Sequence, residues 1–135
     1  MAAEALRNVL FIEDDASFAD DLLALWGLRA RVTRASTGEE ALAQLTRGEP
    51  DLVLLDLALP HALAEVDAEE GFHLLARMRN DLRWNAPIIV ISRDTSSAAR
   101  SRALALGADA VLGKPIDIAR LDAVTDAIWR RGPKP

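Results

Sequence analysis

Short runs along the chain are apolar at every position: Val9-Leu10-Phe11-Ile12, Leu52-Val53-Leu54-Leu55, Ile88-Ile89-Val90-Ile91 and, more weakly, Ala110-Val111-Leu112. A strand with one face in water alternates apolar and polar residues. A run without alternation predicts a strand covered on both faces, as in a parallel sheet. The segment Arg31-Val32-Thr33-Arg34-Ala35 is more polar and predicts an edge strand.

Helical spacing fills the gaps. Phe18, Leu22, Leu25 and Trp26 fall on one helical face. Ser36 and Thr37, followed by Glu39 and Glu40, offer a capping box for a helix through Leu42 and Leu45 that Gly48 and Pro50 end. Phe72, Leu75 and Met78-Arg79 predict a third helix that stops before Pro87. Ser96 or Ser97 caps a fourth, with Gly107 just past its end. Asp117 caps a fifth, with Leu121, Val124 and Ile128 facing inward, and the tail from Arg131 to Pro135 breaks structure. Five strand–helix units in alternation imply an α/β fold with helices on both faces of a parallel sheet. The expected form is flavodoxin-like: doubly wound, five-stranded, in strand order 2-1-3-4-5. The segment 58–70 is long for a strand-to-helix loop, and such loops are often functional.

Composition narrows the function. The 135 residues are enough for one domain with a real core, read here as 1–135 with its core at about 8–130. Net charge is -5 and the Lys and Arg residues are scattered, so no basic stripe marks a nucleic-acid surface. Trp26, Trp84 and Trp129 read as packing residues rather than a base-stacking platform. The absence of cysteine excludes disulfides, Cys-ligated zinc and Cys nucleophiles. No apolar run approaches membrane-spanning length, and the first seven residues do not read as a signal peptide; the expected location is the cytoplasm. His61 and His73 form no metal-ligand pair with any Cys or close His, and Glu69-Glu70 reads as a solvated surface.

In open α/β sheets ligands bind beyond the carboxyl ends of the strands. Glu13, Asp14 and Asp15 follow the first apolar run, Asp56 the second, Ser92 the third and Lys114 the last. Asp15 is also well placed to cap the next helix. Each residue alone reads as a cap, a turn or a solvated lysine; their joint placement at four strand ends favours a site. Several carboxylates in one pocket repel and call for a cation. A hard oxygen set without His or Cys suits Mg2+. With Lys114 and the Ser92 hydroxyl added, the set is suited to phosphoryl transfer onto a carboxylate.

These residues, in order, resemble the receiver domains of response regulators in two-component signalling. The pieces are Val9 to Asp15, Asp51 to Pro60, Gly71 to Arg79, Pro87 to Ser92 and Gly107 to Pro115. The resemblance implies that Asp56 is the phosphoacceptor, supplied by a histidine kinase or phosphotransfer protein. Glu13 and Asp14 would organise Mg2+ with Asp56, and Ala58 would offer its backbone carbonyl. Ser92 would be the hydroxyl switch and Lys114 the partner of the phosphoryl oxygen, with a cis Lys114-Pro115 bond. A downstream protein would dock on the face of the fourth helix, fifth strand and fifth helix, with homodimerisation an option. Neither nucleic acid nor membrane is an expected ligand of this domain, and its only catalysis would be its own phosphorylation and dephosphorylation.

The sequence departs from the family's pattern in three places. Arg93 follows the switch hydroxyl where a small residue is usual. Val111 stands three residues before the lysine where Tyr or Phe is common. The segment 58–70, with His61, Glu65 and Asp67, is longer than typical. The runner-up reading is therefore a phosphorylation-independent interaction module with the same fold. A dehalogenase-like phosphohydrolase needs an acid where Ala58 stands, and a flavodoxin needs a Ser/Thr/Gly-rich loop where Glu13-Asp14-Asp15 stands. The length leaves no room for a DNA-binding output domain, which fits either a single-domain regulator or part of a longer protein.

Overall fold

The computed structural model describes residues 7–26, 30–48, 50–57, 59–60 and 66–131. Strand β1 (Arg7–Ile12) leads to helix α1 (Ala16–Trp26), strand β2 (Ala30–Ala35), helix α2 (Gly38–Leu45) and strand β3 (Leu52–Asp56). A short antiparallel pair follows, β4 (Leu59–Pro60) against β5 (Val66–Asp67). Helix α3 (Ala68–Ala76) continues into a π-helical turn, Arg77–Asp81. Strand β6 (Ile88–Ser92), helix α4 (Ser97–Ala105), strand β7 (Ala110–Gly113) and helix α5 (Ile118–Arg131) complete the order.

The main sheet is parallel throughout, in the order β2-β1-β3-β6-β7. Counting only its own strands, that is 2-1-3-4-5, the expected arrangement. Alternate residues of each strand serve opposite faces, which is why the runs are apolar without interruption. Leu10, Ile12, Val53, Leu55, Ile88 and Val90 join a cluster with Ala41 and Leu45 of α2, Leu74 and Leu75 of α3, and Ala103 of α4. Val9, Phe11, Leu52, Leu54, Ile89 and Ile91 join the other cluster, with Leu22 and Trp26 of α1 and Leu121 and Ile128 of α5. Every residue of β3 and β6 is buried. Burying one such leucine contributes about 2 kcal/mol. Strand β2 lies at the edge and keeps polar residues toward solvent.

Side-chain caps mark the helix starts where the sequence places them. Thr37 accepts the Glu40 N–H, and Glu40 reaches back to the Ser36 N–H and hydroxyl. Ser96 accepts the Ala99 N–H, and Asp117 accepts the N–H groups of Ala119 and Arg120. Gly107 turns the chain after α4 with φ at +112°, a conformation that favours glycine.

Three features differ from the sequence reading. The segment 58–70 is not wholly loop: it holds β4 and β5, and α3 begins within it at Ala68. The positions of Ala58, His61 and Glu65 lie outside the described residues, as does the tail beyond Arg131. The third helix does not run on regularly toward Pro87. After Ala76 it widens, with the Leu82 N–H bonded to Arg77 O and the Trp84 N–H to Met78 O. On α5 Leu121, Val124 and Ile128 pack against the core, Val124 half-buried, and the sequence reading missed a fourth inward residue, the buried Thr125. The Thr125 hydroxyl donates to Leu121 O and to Asp122 O at 2.9 and 3.0 Å, which satisfies it inside the core.

The π-helical turn positions Arg79. Its guanidinium donates to Gly107 O, Trp84 O and Ala86 O and pairs with Asp109 at 2.9 Å. Asp109 also accepts the Ile88 N–H. One side chain thus ties the end of α3 to the start of β6 and to the turn before β7.

Candidate functional site

The carboxyl ends of β1, β3, β6 and β7 share one rim, and inter-strand hydrogen bonding continues past them. The Glu13 N–H donates to Ala35 O at 2.9 Å, the Leu57 N–H to Ile91 O at 3.3 Å and the Lys114 N–H to Ser92 O at 3.0 Å. Residues just beyond the strands are therefore tied to their neighbours by the same kind of backbone hydrogen bond as the strands. Among the described residues Glu13, Asp56, Ser92 and Thr125 are polar and buried, and the first three gather here. Burying a charged group is costly unless it is paired, so this rim departs from what core packing alone favours.

Lys114 provides the pairing. Its Nζ donates to Glu13 Oε2 at 2.8 Å and to Asp56 Oδ2 at 3.1 Å. The ammonium also lies 4.6 Å from the centre of the Phe18 ring. The other Glu13 oxygen accepts the Asp15 N–H at 3.2 Å. The Asp15 carboxylate caps α1 through the Phe18 N–H, and Asp15 lines the pocket beside Glu13 and Asp14. Burial pushes the Glu13 carboxyl up to about 7; the Lys114 hydrogen bond opposes the rise and the Asp56 charge adds to it. Burial works to lower the Lys114 pKa, but the Glu13 hydrogen bond and the Asp56 charge outweigh it and the net shift is upward.

Carboxylate oxygens of Glu13, Asp14 and Asp56 lie within 4.8 Å of one another. Three carboxylates face one ammonium, and hard oxygen donors at this spacing suit a divalent cation such as Mg2+. The cavity above them, about 370 Å3, is walled by Leu57, Phe72, Ser92 and Arg93. Ser92 Oγ accepts the Asp94 N–H at 3.0 Å, which leaves the hydroxyl proton uncommitted by that bond. The Lys114-Pro115 bond is cis.

The structure thus brings Glu13, Asp14, Asp56, Ser92 and Lys114 to one cavity. Phe18 and Gly71 were not legible as site residues. Phe18 has the spacing of a core residue, yet its ring backs the Lys114 ammonium. Gly71 donates its N–H to Leu57 O, and any Cβ there would overlap the Leu57 backbone. A glycine within a helical pattern was the available signal.

The response regulator receiver domain family matches this chain over residues 9–126. The KDP operon transcriptional regulatory protein KdpE of Escherichia coli is 34% identical over 128 residues, 93% of this chain and 52% of KdpE. The transcriptional activator protein PfeR of Pseudomonas aeruginosa is 36% identical over 125 residues, 92% of this chain and 38% of PfeR. The chain spans about half the length, or less, of these curated relatives. Among solved structures, a CheY-like response regulator receiver domain protein from Methanospirillum hungatei superposes with a TM-score of 0.77 at 25% identity, covering 95% of this chain and 100% of that one. The BeF3-activated receiver domain of Klebsiella pneumoniae RstA gives a TM-score of 0.77 at 27% identity, covering 89% and 96%. The matched span takes in all five strand ends of the main sheet, and the chain belongs to the family of response regulator receiver domains.

Proposed function

We propose that this domain is a phosphoacceptor switch that takes a phosphoryl group onto Asp56 from a histidine kinase or phosphotransfer protein. The observation that supports it most is the single ammonium of Lys114 shared between Asp56 and Glu13 beneath an open cavity. An Asp56 carboxylate oxygen attacks the phosphorus of a phosphohistidine. The new P–O bond makes an acyl phosphate, the P–N bond breaks, and its electron pair returns to the imidazole nitrogen, which takes a proton.

Glu13, Asp14 and Asp56 would hold Mg2+, with the Ala58 carbonyl as a further ligand. Bound there, the cation offsets charge on the phosphoryl oxygens. Lys114 pairs with one of those oxygens and keeps Asp56 oriented. The Ser92 hydroxyl donates to another. Hydrolysis of the acyl phosphate resets the switch, and this self-reaction is the only catalysis assigned. Phosphorylation shifts an existing equilibrium at the face of α4, β7 and α5, where a downstream protein docks.

Val111 favours a second reading. It is buried on β7 where an aromatic residue would couple to Ser92, so the chain would act as an interaction module without phosphorylation. Incubation with Mg2+ and acetyl phosphate, followed by intact mass, separates the two. The switch predicts one added phosphoryl group in the wild type and none in Asp56→Asn. No gain from acetyl phosphate or phosphoramidate supports the second reading.

A further inference from the structure

Arg93 has no part in the chemistry described so far. It follows Ser92 at the carboxyl end of β6 and stands in the wall of the phosphoacceptor cavity with Asp56, Phe72 and Lys114. It also lines a second cavity, about 570 Å3, so it stands where the two spaces meet. The side chain is exposed, and among the described residues it has no hydrogen-bond or ion-pair partner. The backbone beside it is held. Ser92 Oγ accepts the Asp94 N–H, and the Asp94 carboxylate accepts the Ser96 N–H at 2.9 Å. Arg93 is thus a long cation on a fixed base at the approach to Asp56.

The charges around the phosphoacceptor cavity explain what such a cation can do. Four carboxylates line it, Glu13, Asp14, Asp15 and Asp56, against the two cations Lys114 and Arg93. Lys114 is bonded to Glu13 and Asp56, and Arg93 is bonded to neither. A phosphoryl donor is itself an anion, and it approaches a wall whose carboxylates repel it. A cation at the approach raises the local concentration of an anion, and the gain grows with the charge of that anion. A guanidinium also keeps its charge at any working pH, and its planar fork matches a pair of phosphoryl oxygens. We propose that Arg93 sets the choice among small-molecule donors, favouring doubly charged acyl phosphates over the less charged phosphoramidate. The inference rests on Asp56 being the phosphoacceptor. In the reaction an Asp56 oxygen bonds to phosphorus, the P–O bond to the acyl group breaks, and the carboxylate leaves with its electron pair. Arg93 steers and orients the donor and exchanges no proton.

The test is the rate of labelling, read by intact mass in Mg2+, across a range of acetyl phosphate or phosphoramidate concentrations. Arg93→Ala should lower the second-order rate constant for acetyl phosphate about tenfold, and that for phosphoramidate far less. Retained labelling by phosphoramidate then shows that the variant is folded with its site intact. Arg93→Lys should restore part of the loss. The preference of the wild type for acetyl phosphate should shrink as ionic strength rises. Arg31, exposed near the amino end of edge strand β2, controls for net charge, and Arg31→Ala should match the wild type with both donors. A donor ratio unchanged in Arg93→Ala, an equal loss for both donors, or the same change in Arg31→Ala would overturn the assignment to Arg93. A wild type that neither donor labels would instead sink the phosphoacceptor reading beneath it.

Discussion

Lys114 Nζ lies 2.8 Å from Glu13 Oε2, a contact that joins positions 101 residues apart in sequence. The same ammonium reaches Asp56 at 3.1 Å, so one cation from β7's end holds carboxylates from the ends of β1 and β3. Removing it leaves two buried carboxylates facing each other.

Lys114→Met should therefore destabilise the protein by about 2 kcal/mol in metal-free buffer, less than for a fully enclosed pair because the cavity admits water. Mg2+ should recover part of the loss. Urea denaturation with and without Mg2+ checks both; an unchanged midpoint would show that the pair contributes nothing.

The raised Glu13 carboxyl predicts a pH dependence with a definite sign. Its pKa is about 7 in the fold against an ordinary 4.5, so the folded state holds the proton more tightly. Its contribution is complete below the ordinary value and is lost as the pH rises through about 7. Metal-free wild type should lose about 2 kcal/mol between about pH 5 and pH 8 relative to Glu13→Gln. Mg2+ should oppose that loss, because the cation prefers the ionised carboxylate. Parallel pH profiles for the two proteins would contradict the assignment.

Gly71→Ala should act on the site through the backbone. The added methyl overlaps Leu57, the residue after Asp56, and α3 or the end of β3 must shift. A cost of about 2 kcal/mol is expected, together with slower labelling by acetyl phosphate. Denaturation and the time course of intact mass test the two effects separately.

Arg79→Lys should be more damaging than its retained charge suggests. An ammonium cannot span the carbonyls of Trp84, Ala86 and Gly107 and the Asp109 carboxylate in the geometry that the guanidinium does. A loss of about 2–3 kcal/mol is expected in denaturant melts, with a loss below 0.5 kcal/mol counting against the clamp.

The strands and their order were legible because burial on both faces leaves an unbroken apolar run, as at Ile88-Ile89-Val90-Ile91. Helix starts were legible where a side chain does the capping, as at Ser96 and Asp117. The residues that gather at the candidate site were legible as a set because each lies at or just past the end of a predicted strand. What joins them was not: the Lys114–Glu13 bond depends on two strands meeting the same rim. The π-helical turn was hidden for a similar reason, since the acceptors for Arg79 lie as far off as Gly107 and Asp109. Thr125 was passed over as a polar residue because its hydroxyl is satisfied by its own helix, which no hydrophobic pattern records.

The most direct test of the phosphoacceptor reading is chemical trapping of the labelled residue. The protein is treated with Mg2+ and acetyl phosphate, reduced with borohydride and digested, and the peptides are sequenced by mass spectrometry. Borohydride converts an aspartyl phosphate to homoserine, so the account predicts homoserine at position 56 and at no other acidic residue. Homoserine elsewhere, or none at all when a known receiver domain treated in parallel is trapped, would contradict it.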